Sequence, residues 1–370
     1  MNIFLKIKNW LDIKHPFVVY RKPNTNILNG WFQQDDFLYT SDKYTEKGFI
    51  FAPFDAENTA VLIPENNADF LQENTPSFNF SDKISEKNFI SQKKATEIAE
   101  KKHLNLVEKG IQAIVENQFK KVVLSRKEAI SLTDFNAITA FQKLLTNYKN
   151  AFTYIWFHPK VGLWLGATPE TLVKINAQNF ETMALAGTQI FKGTTDVFWQ
   201  SKEIEEQQFV TDYITSKLET ICTKVQKNDV ETIKAGNLLH LKTLISGEIT
   251  ATITSANTSA NTSESTTENS TLLKKLHPTP AVCGLPLEAS KAFILKNENY
   301  NRSYYAGFLG ELNLTKTGKN TSELFVNLRC MEIKNNTAFI YVGGGITKDS
   351  NPKSEWLETV AKTATMKKVL

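Results

Sequence analysis

The chain has 370 residues, 41% of them hydrophobic and 11% aromatic, enough to bury one large core or two ordinary ones, so it reads as globular. Lys and Arg exceed Asp and Glu by only 43 − 39 = 4, with no basic stripe, which gives no ground for nucleic acid or anionic lipid as a partner. Cys222, Cys283 and Cys330 cannot all pair and lack zinc-ligand spacing, so free thiols in a reducing compartment, the cytoplasm, are expected.

The opening MNIFLKIKNWLDIKHPF alternates apolar residues with Lys and has no long apolar stretch, predicting an amphipathic helix packed on its own domain rather than a secretory signal. No segment approaches the ~18 apolar residues of a spanning helix. Residues 17 to 80 hold strand-like runs (PFVVYRK, WFQQDDFLYT, GFIFAPF) between Asn, Asp, Gly and Pro turns, so 1–95 is expected to be a sheet-forming region integrated into the fold. From Lys93 to Glu116 apolar residues recur at helical spacing, and the strand FKKVVLSRKEAI follows. Next come a helix from Phe135 to Leu145, strands AFTYIWFHP and VGLWLGATPETLVKI, and a polar helix from about Thr195 to Val225. Residues 255–271 carry almost only Ser, Thr, Asn, Ala and Glu, which predicts a mobile surface loop. HPTPAVCGLP reads as a fixed turn, followed by strands LFVNLRCMEI and TAFIYVGGGI and a terminal helix from about Pro352. The order suggests an α+β fold with large mixed or antiparallel sheets and helices outside.

Two Glu-x-x-Glu pairs, Glu203/Glu206 and Glu355/Glu358, stand out, the second followed by Lys362. At helical spacing each pair shows both carboxylates on one face, so two facing helices could build an oxygen site for Mg²⁺ that also takes an oxygen from a small acidic substrate. The strand period puts Lys121 and Lys120 on opposite faces, and a lysine turned into a cleft can act as a base when desolvated, although a Lys pair at a strand start is also an ordinary solvated edge. Glu170 in GATPE follows a Pro turn, where a carboxyl could be buried and protonated or simply sit in water. Gly187 with Thr188, and Gly343, Gly344 and Gly345 after a strand, could bring backbone N–H groups close to an anion or merely form turns. Arg329, on an otherwise apolar strand, wants a carboxylate from either protein or ligand. His240 reads as a core histidine or a site group.

Taken in order, KVVLSR, GATPE, ALAGT, KEIEEQ, LHPTPAVCGLP, YYAGFLGEL and GGGITKDSNPKSEWLETVAK resemble the chorismate-binding enzymes, from about residue 96 to the end, which would make 96–370 the catalytic region. The resemblance implies the aminodeoxychorismate synthase-like fold, large antiparallel sheets flanked by helices with the active site in a cleft. Within that family Lys121, where ammonia-using members usually have Gln, implies water as the nucleophile. Ala186 removes the covalent lysine route of aminodeoxychorismate synthases, and HPTPAVCGLP looks like the isochorismate-forming branch. The expected activity is therefore Mg²⁺-dependent isomerisation of chorismate to isochorismate, feeding menaquinone or catechol siderophore synthesis. The alternatives are salicylate synthesis with loss of pyruvate, an ammonia-using lyase, and an inactive chorismate-binding protein.

Carried over residue by residue, the resemblance makes Lys121 the base that activates water and Glu170 the acid that protonates the departing hydroxyl. It makes Glu206 and Glu358 direct magnesium ligands, with Glu203 and Glu355 holding metal-bound water. Thr188, His240, Tyr305, Arg329, Gly343, Gly344, Gly345 and Lys362 would hold the substrate's ring and carboxylates. Such chemistry asks for a neutral Lys121 and a protonated Glu170. A monomer with no glutaminase subunit is expected. The chain departs from the family at Gln207, where His is usual, at Gly344, where Ala is common, and in the Ser/Thr/Asn insert.

Overall fold

A computed structural model describes residues 2–78, 90–236, 238–250 and 263–370. The N-terminal part contains α1 (Ile3–Asp12), β1 (Phe17–Arg21), β2 (Ile27–Gln33), β3 (Tyr39–Ser41), β4 (Gly48–Ala52), β5 (Ala60–Pro64) and β6 (Ala68–Asn74). The middle runs α2 (Ile90–Val115), β7 (Lys121–Ser131), α3 (Ala137–Asn147), β8 (Phe152–His158), β9 (Gly162–Thr168), β10 (Thr171–Asn176), β11 (Asn179–Ile190), α4 (Ser201–Leu218), β12 (Cys222–Lys227), β13 (Glu231–Ala235) and β14 (Leu238–Ile249). The last part holds α5 (Ser263–Leu276), β15 (Gly284–Leu285), α6 (Leu287–Asn297), β16 (Phe308–Lys316), β17 (Lys319–Val326), β18 (Cys330–Lys334), β19 (Thr337–Ile346) and α7 (Pro352–Lys367).

The strands form two antiparallel sheets. One has the order β15-β7-β19-β18-β9-β8-β1-β2-β6, and the other β12-β14-β11-β10-β17-β16-β4-β5-β3 with β13 paired to β14. Strands of the first 95 residues thus complete an edge of each sheet. The period of two explains why β1, β8 and β9 are apolar at nearly every position. Val18, Tyr20, Phe152, Tyr154, Trp156 and Trp164 point into the core shared by both sheets. Their neighbours Phe17, Val19, Ile155 and Leu165 pack on the opposite face with Ile3 and Ile7 of α1, Phe141 and Leu144 of α3 and Met366 of α7. A sheet buried on both faces cannot show the alternating hydrophobic and polar pattern of a half-exposed one. Phe51 joins Tyr154, Trp156, Trp164 and Tyr304 in the inner layer through ring contacts.

Four expectations are corrected. The predicted loop over 255–271 is helical from Ser263 onward, while its part up to 262 lies outside the described residues. Asn269 and Ser270 are buried there, with the Asn269 amide donating to Asn313 Oδ1 at 3.2 Å and the Ser270 hydroxyl to the Lys43 carbonyl, so polar side chains anchor this helix alongside Leu272, Leu273 and Leu276. The helix expected over 195–225 spans only Ser201–Leu218, and Cys222 begins a strand on β14. LFVNLRCMEI is two strands in different sheets, broken at Asn327–Leu328–Arg329, with Arg329 at φ 47°. Gly343, Gly344 and Gly345 lie within β19, not after it, opposite Ser125, Leu124 and Val123 of β7.

Candidate active site

Two chain crossings lie side by side between the sheets. β9 passes through Pro169 and Glu170 into β10 of the other sheet, and β17 returns through Asn327, Leu328 and Arg329 into β18. They are laced together by Ala167 N–H to the Arg329 carbonyl (3.0 Å), Val326 N–H to the Glu170 carbonyl (3.0 Å) and the Thr168 hydroxyl to the Val326 carbonyl (2.6 Å). α4 packs on β11 and α7 on β19, which brings one face of each helix to the same place. The cavity there is lined by Glu170, Thr188, Glu206, His240, Tyr305, Arg329, Gly343, Gly344, Gly345, Glu358 and Lys362. Sequence elements more than a hundred residues apart thus meet at one site.

Three of the predicted residues stand behind this lining. Lys121 has no exposed surface; its Nζ is 2.9 Å from Glu206 Oε1, yet makes no hydrogen bond of ordinary geometry. Lys120, its neighbour, is exposed, as the strand period requires. Glu355 is 1% exposed beside Gly344, with Oε1 2.5 Å from Lys202 Nζ. Glu203 turns back on its own helix, where Oε2 accepts the Gln200 N–H at 3.1 Å.

The glycines admit these carboxylates. A Cβ on Gly345 would fall 2.2 Å from Glu206 Oε1, and one on Gly344 3.3 Å from Glu355 Oε2 and 3.5 Å from Glu358 Oε1. At Gly345 only a bare backbone lets the α4 carboxylate close over β19, whereas at Gly344 a Cβ would sit at about contact distance from the α7 carboxylates. Asn351 caps α7 by accepting the Ser354 N–H at 3.0 Å, fixing the turn from which Glu355, Glu358 and Lys362 project. Lys362 Nζ reaches Glu358 Oε1 at 2.6 Å and the Gly343 carbonyl at 2.8 Å.

Burial drives the electrostatics. It raises the Glu170 carboxyl to about 8, against the pull of Lys121 and Lys362, so this acid keeps its proton at neutral pH. Burial also pushes the Glu206 carboxyl up, but Lys121, Lys202 and Lys362 together outweigh it and hold the group below its ordinary value. At Glu355 burial and the repulsion of Glu358 win over Lys202 and raise the carboxyl. His240 is lowered to about 3 by burial, then by Arg329 and Lys362, and is neutral. Its Nδ1 lies 2.8 Å from the Gly187 carbonyl and therefore carries the hydrogen, leaving Nε2 to accept from Arg329 Nη2 at 3.3 Å. Thr188 Oγ1 is 3.4 Å from the same Nδ1. Tyr305, pushed up by burial, stays a phenol and stands over Gly343. Among the described residues no carboxylate lies within ion-pair distance of the buried Arg329.

The donor set suits a hard divalent cation: the candidate ligands are all carboxylates, and the buried Glu355 Oε2 makes no hydrogen bond of ordinary geometry. Glu206, Glu355 and Glu358 are instead each matched by one lysine, Lys121, Lys202 and Lys362. Among the described residues no three His, Cys, Asp or Glu side chains are close enough together to enclose an ion.

Comparison with known proteins matches residues 55–370 to the family profile described as chorismate binding enzyme, beginning well before the resemblance seen in the motifs. The chain belongs to the chorismate-binding enzyme family. A chloroplastic isochorismate synthase of Catharanthus roseus is 28% identical over 261 residues, which cover 68% of this chain and 42% of the plant protein. The chain spans about half the length of the curated relatives it matches. The Escherichia coli menaquinone-specific isochorismate synthase MenF shares the fold with a TM-score of 0.72 at 20% identity, covering 96% of this chain and 88% of that one. Component I of anthranilate synthase from Streptococcus pneumoniae TIGR4 follows with a TM-score of 0.65 at 18% identity, covering 95% and 92%. The α+β family fold, two large antiparallel sheets flanked by helices, is therefore as the motifs implied.

Lys202 escapes the sequence reading, which marks Gln207 without its partners. Lys202 carries the signal of an i, i+4 pair with Glu206, but its partner is Glu355 on another helix. Gln207, in the position of the usual His, donates from Nε2 to the Ala184 carbonyl (3.1 Å) and to Thr243 Oγ1 (3.2 Å), tying α4 to β11 and β14. Among the described residues no helix is long and apolar enough to cross a membrane.

Proposed function

We propose that this family member converts chorismate to isochorismate with Mg²⁺ as its metal. The observation that carries the reading is a pair of buried groups of opposite chemistry around one cavity, Glu170 in its lining, 4% exposed and protonated at neutral pH, and Lys121 just behind the lining with no exposed surface. A protonated carboxyl can deliver a proton to the hydroxyl leaving C4, while Lys121, made neutral by giving its proton to solvent as it leaves Glu206, takes one from the water attacking C2. The ring double bonds shift, one water enters and one leaves, so the atoms balance. Net exchange of one hydroxyl for another leaves the equilibrium near balance, so a downstream reaction must draw off the product.

The substrate carries two carboxylates, which need cationic partners in a site closed to water. Arg329, with no carboxylate of its own among the described residues, suits one of them, with the neutral His240 orienting the guanidinium. Glu206, Glu358 and Glu355 would hold the metal, which when bound supplies positive charge to the other carboxylate. Ala186 supports a reaction without a lysine adduct, and Lys121 supports water over ammonia as nucleophile. The test is purified protein with chorismate, with and without Mg²⁺ and ammonium, and identification of the products. Isochorismate alone is expected. Salicylate with pyruvate, or an aminated product, would overturn the reading.

A further inference from the structure

Behind the cavity wall lies a buried ion pair that the proposed chemistry leaves unused. Arg302 binds Glu298 in a fork, Nε to Oε2 at 2.8 Å and Nη2 to Oε1 at 2.6 Å, and both side chains are almost fully enclosed. Arg302 also donates from Nη1 to the Val282 carbonyl at 2.9 Å and from Nη2 to the Val123 carbonyl at 2.6 Å. Glu298 Oε1 accepts from the backbone N–H and the hydroxyl of Ser125, at 2.7 and 2.9 Å. Val123 and Val282 both line the cavity, and Lys121 precedes Val123 by two residues on the same face of β7.

The pair therefore grips the strand that carries Lys121 and the proline-rich segment lying along it. Those two segments are further joined by Val123 N–H to the Cys283 carbonyl (2.8 Å) and Lys120 N–H to the Leu285 carbonyl (2.7 Å), and Ser290 Oγ of the following α6 donates to the Lys121 carbonyl (3.0 Å). Stability alone gives little reason for charges here, because apolar residues of similar volume often replace a buried ion pair without loss. Direction is what they cannot supply. A guanidinium aims several fixed donors at once, here at a carboxylate and two backbone carbonyls, which neither lysine nor an aliphatic chain can do.

We propose that Arg302 and Glu298 form a positioning unit that sets the location of Lys121 relative to the cavity. This rests on the role of Lys121 in the proposed function. The test is the double variant Glu298→Leu/Arg302→Met, which removes both charges together, with Arg302→Lys as a second variant that keeps the charge but loses the fork. The double variant should fold with a lower thermal midpoint, because the Ser125 N–H and the Val123 and Val282 carbonyls lose a partner. Its kcat on chorismate should fall ~10²-fold, the scale of a 1 Å misplacement, with KM little changed. Amide hydrogen exchange at Lys120 and Val123 should accelerate. Arg302→Lys should show the same kcat loss, which decides the matter should the double variant fail to fold. A folded variant of either kind with unaltered kcat, or with Lys120 and Val123 amides protected as before, overturns the proposal. If the unaltered protein leaves chorismate unconverted, the proposed function fails instead, and hydrogen exchange still decides whether the unit holds these segments.

Discussion

Replacing Gly345 with alanine should separate activity from stability. The added methyl would lie 2.2 Å from Glu206 Oε1, 3.0 Å from its Cδ and 3.1 Å from Lys121 Cε. Ordinary contact begins near 3.4 Å, so the carboxylate must retreat by 3.4 − 2.2, about 1.2 Å. The obstructing atom is the end of a flexible side chain, and Gly345 occupies an ordinary strand conformation, so the backbone needs no strain. Alanine also costs less conformational entropy than glycine, which offsets part of what is lost as Glu206 draws away from the buried Lys121 amine, so the thermal midpoint should hold or fall modestly. Activity should not hold: a displacement of this size at a positioned group costs ~10²-fold in kcat. Thermal unfolding and steady-state kinetics on one preparation make the comparison. A Gly345→Ala protein with a normal melting midpoint and a kcat within about threefold of the original would refute the reasoning, because the close approach of Glu206 to bare backbone would then serve no catalytic end.

Other expectations follow from the same geometry. Glu170 in the folded chain holds a proton up to about pH 8, which the unfolded chain releases near 4.5, so its contribution to stability falls as pH rises between those values; Glu170→Gln should flatten that part of the curve in denaturant titrations at several pH values. The same group, needed as an acid, should give kcat/KM a limb that declines above about pH 8, and Glu170→Gln should lower turnover by ~10²-fold or more. Gly284 has φ 142°, and a Cβ there would meet the Lys121 carbonyl at 2.4 Å and Ser290 Oγ at 2.5 Å, so Gly284→Ala should destabilise by ~1–3 kcal/mol, read as a lower thermal midpoint.

Much of the site was legible because its chemistry lies in short motifs. Glu170, Glu206, Arg329, the β19 glycines and the α7 triplet of Glu355, Glu358 and Lys362 could each be marked from sequence, and the fold brings them to one junction. What sequence could not convey was how the chain crosses between sheets. LFVNLRCMEI reads as one continuous strand because both halves are apolar, yet it is cut at Arg329 where it leaves one sheet for the other; the Pro turn of GATPE marks the matching cut at Glu170, but not that the chain changes sheet there. The glycine run looked like a turn because strand interiors rarely favour glycine; its cause is side chains from two distant helices. Glu203 has the spacing of a metal-side glutamate and also caps its helix, a local hydrogen bond that the same pattern predicts. Composition misled over Ser263 to Thr271, since Asn and Ser can be buried when a carbonyl or amide awaits them. The Arg302 and Glu298 unit depends on contacts with residues up to 179 positions away, and no local pattern reveals these.

The central claim is that an amine and a protonated carboxyl at one cavity exchange a hydroxyl of chorismate for one drawn from water. Running the reaction in water enriched in heavy oxygen, with Mg²⁺ and chorismate, and locating the label by mass spectrometry tests this directly. The account predicts isochorismate with heavy oxygen in the C2 hydroxyl of every product molecule. Isochorismate free of label would mean that the hydroxyl migrates within the substrate, and would contradict the roles given to Lys121 and Glu170.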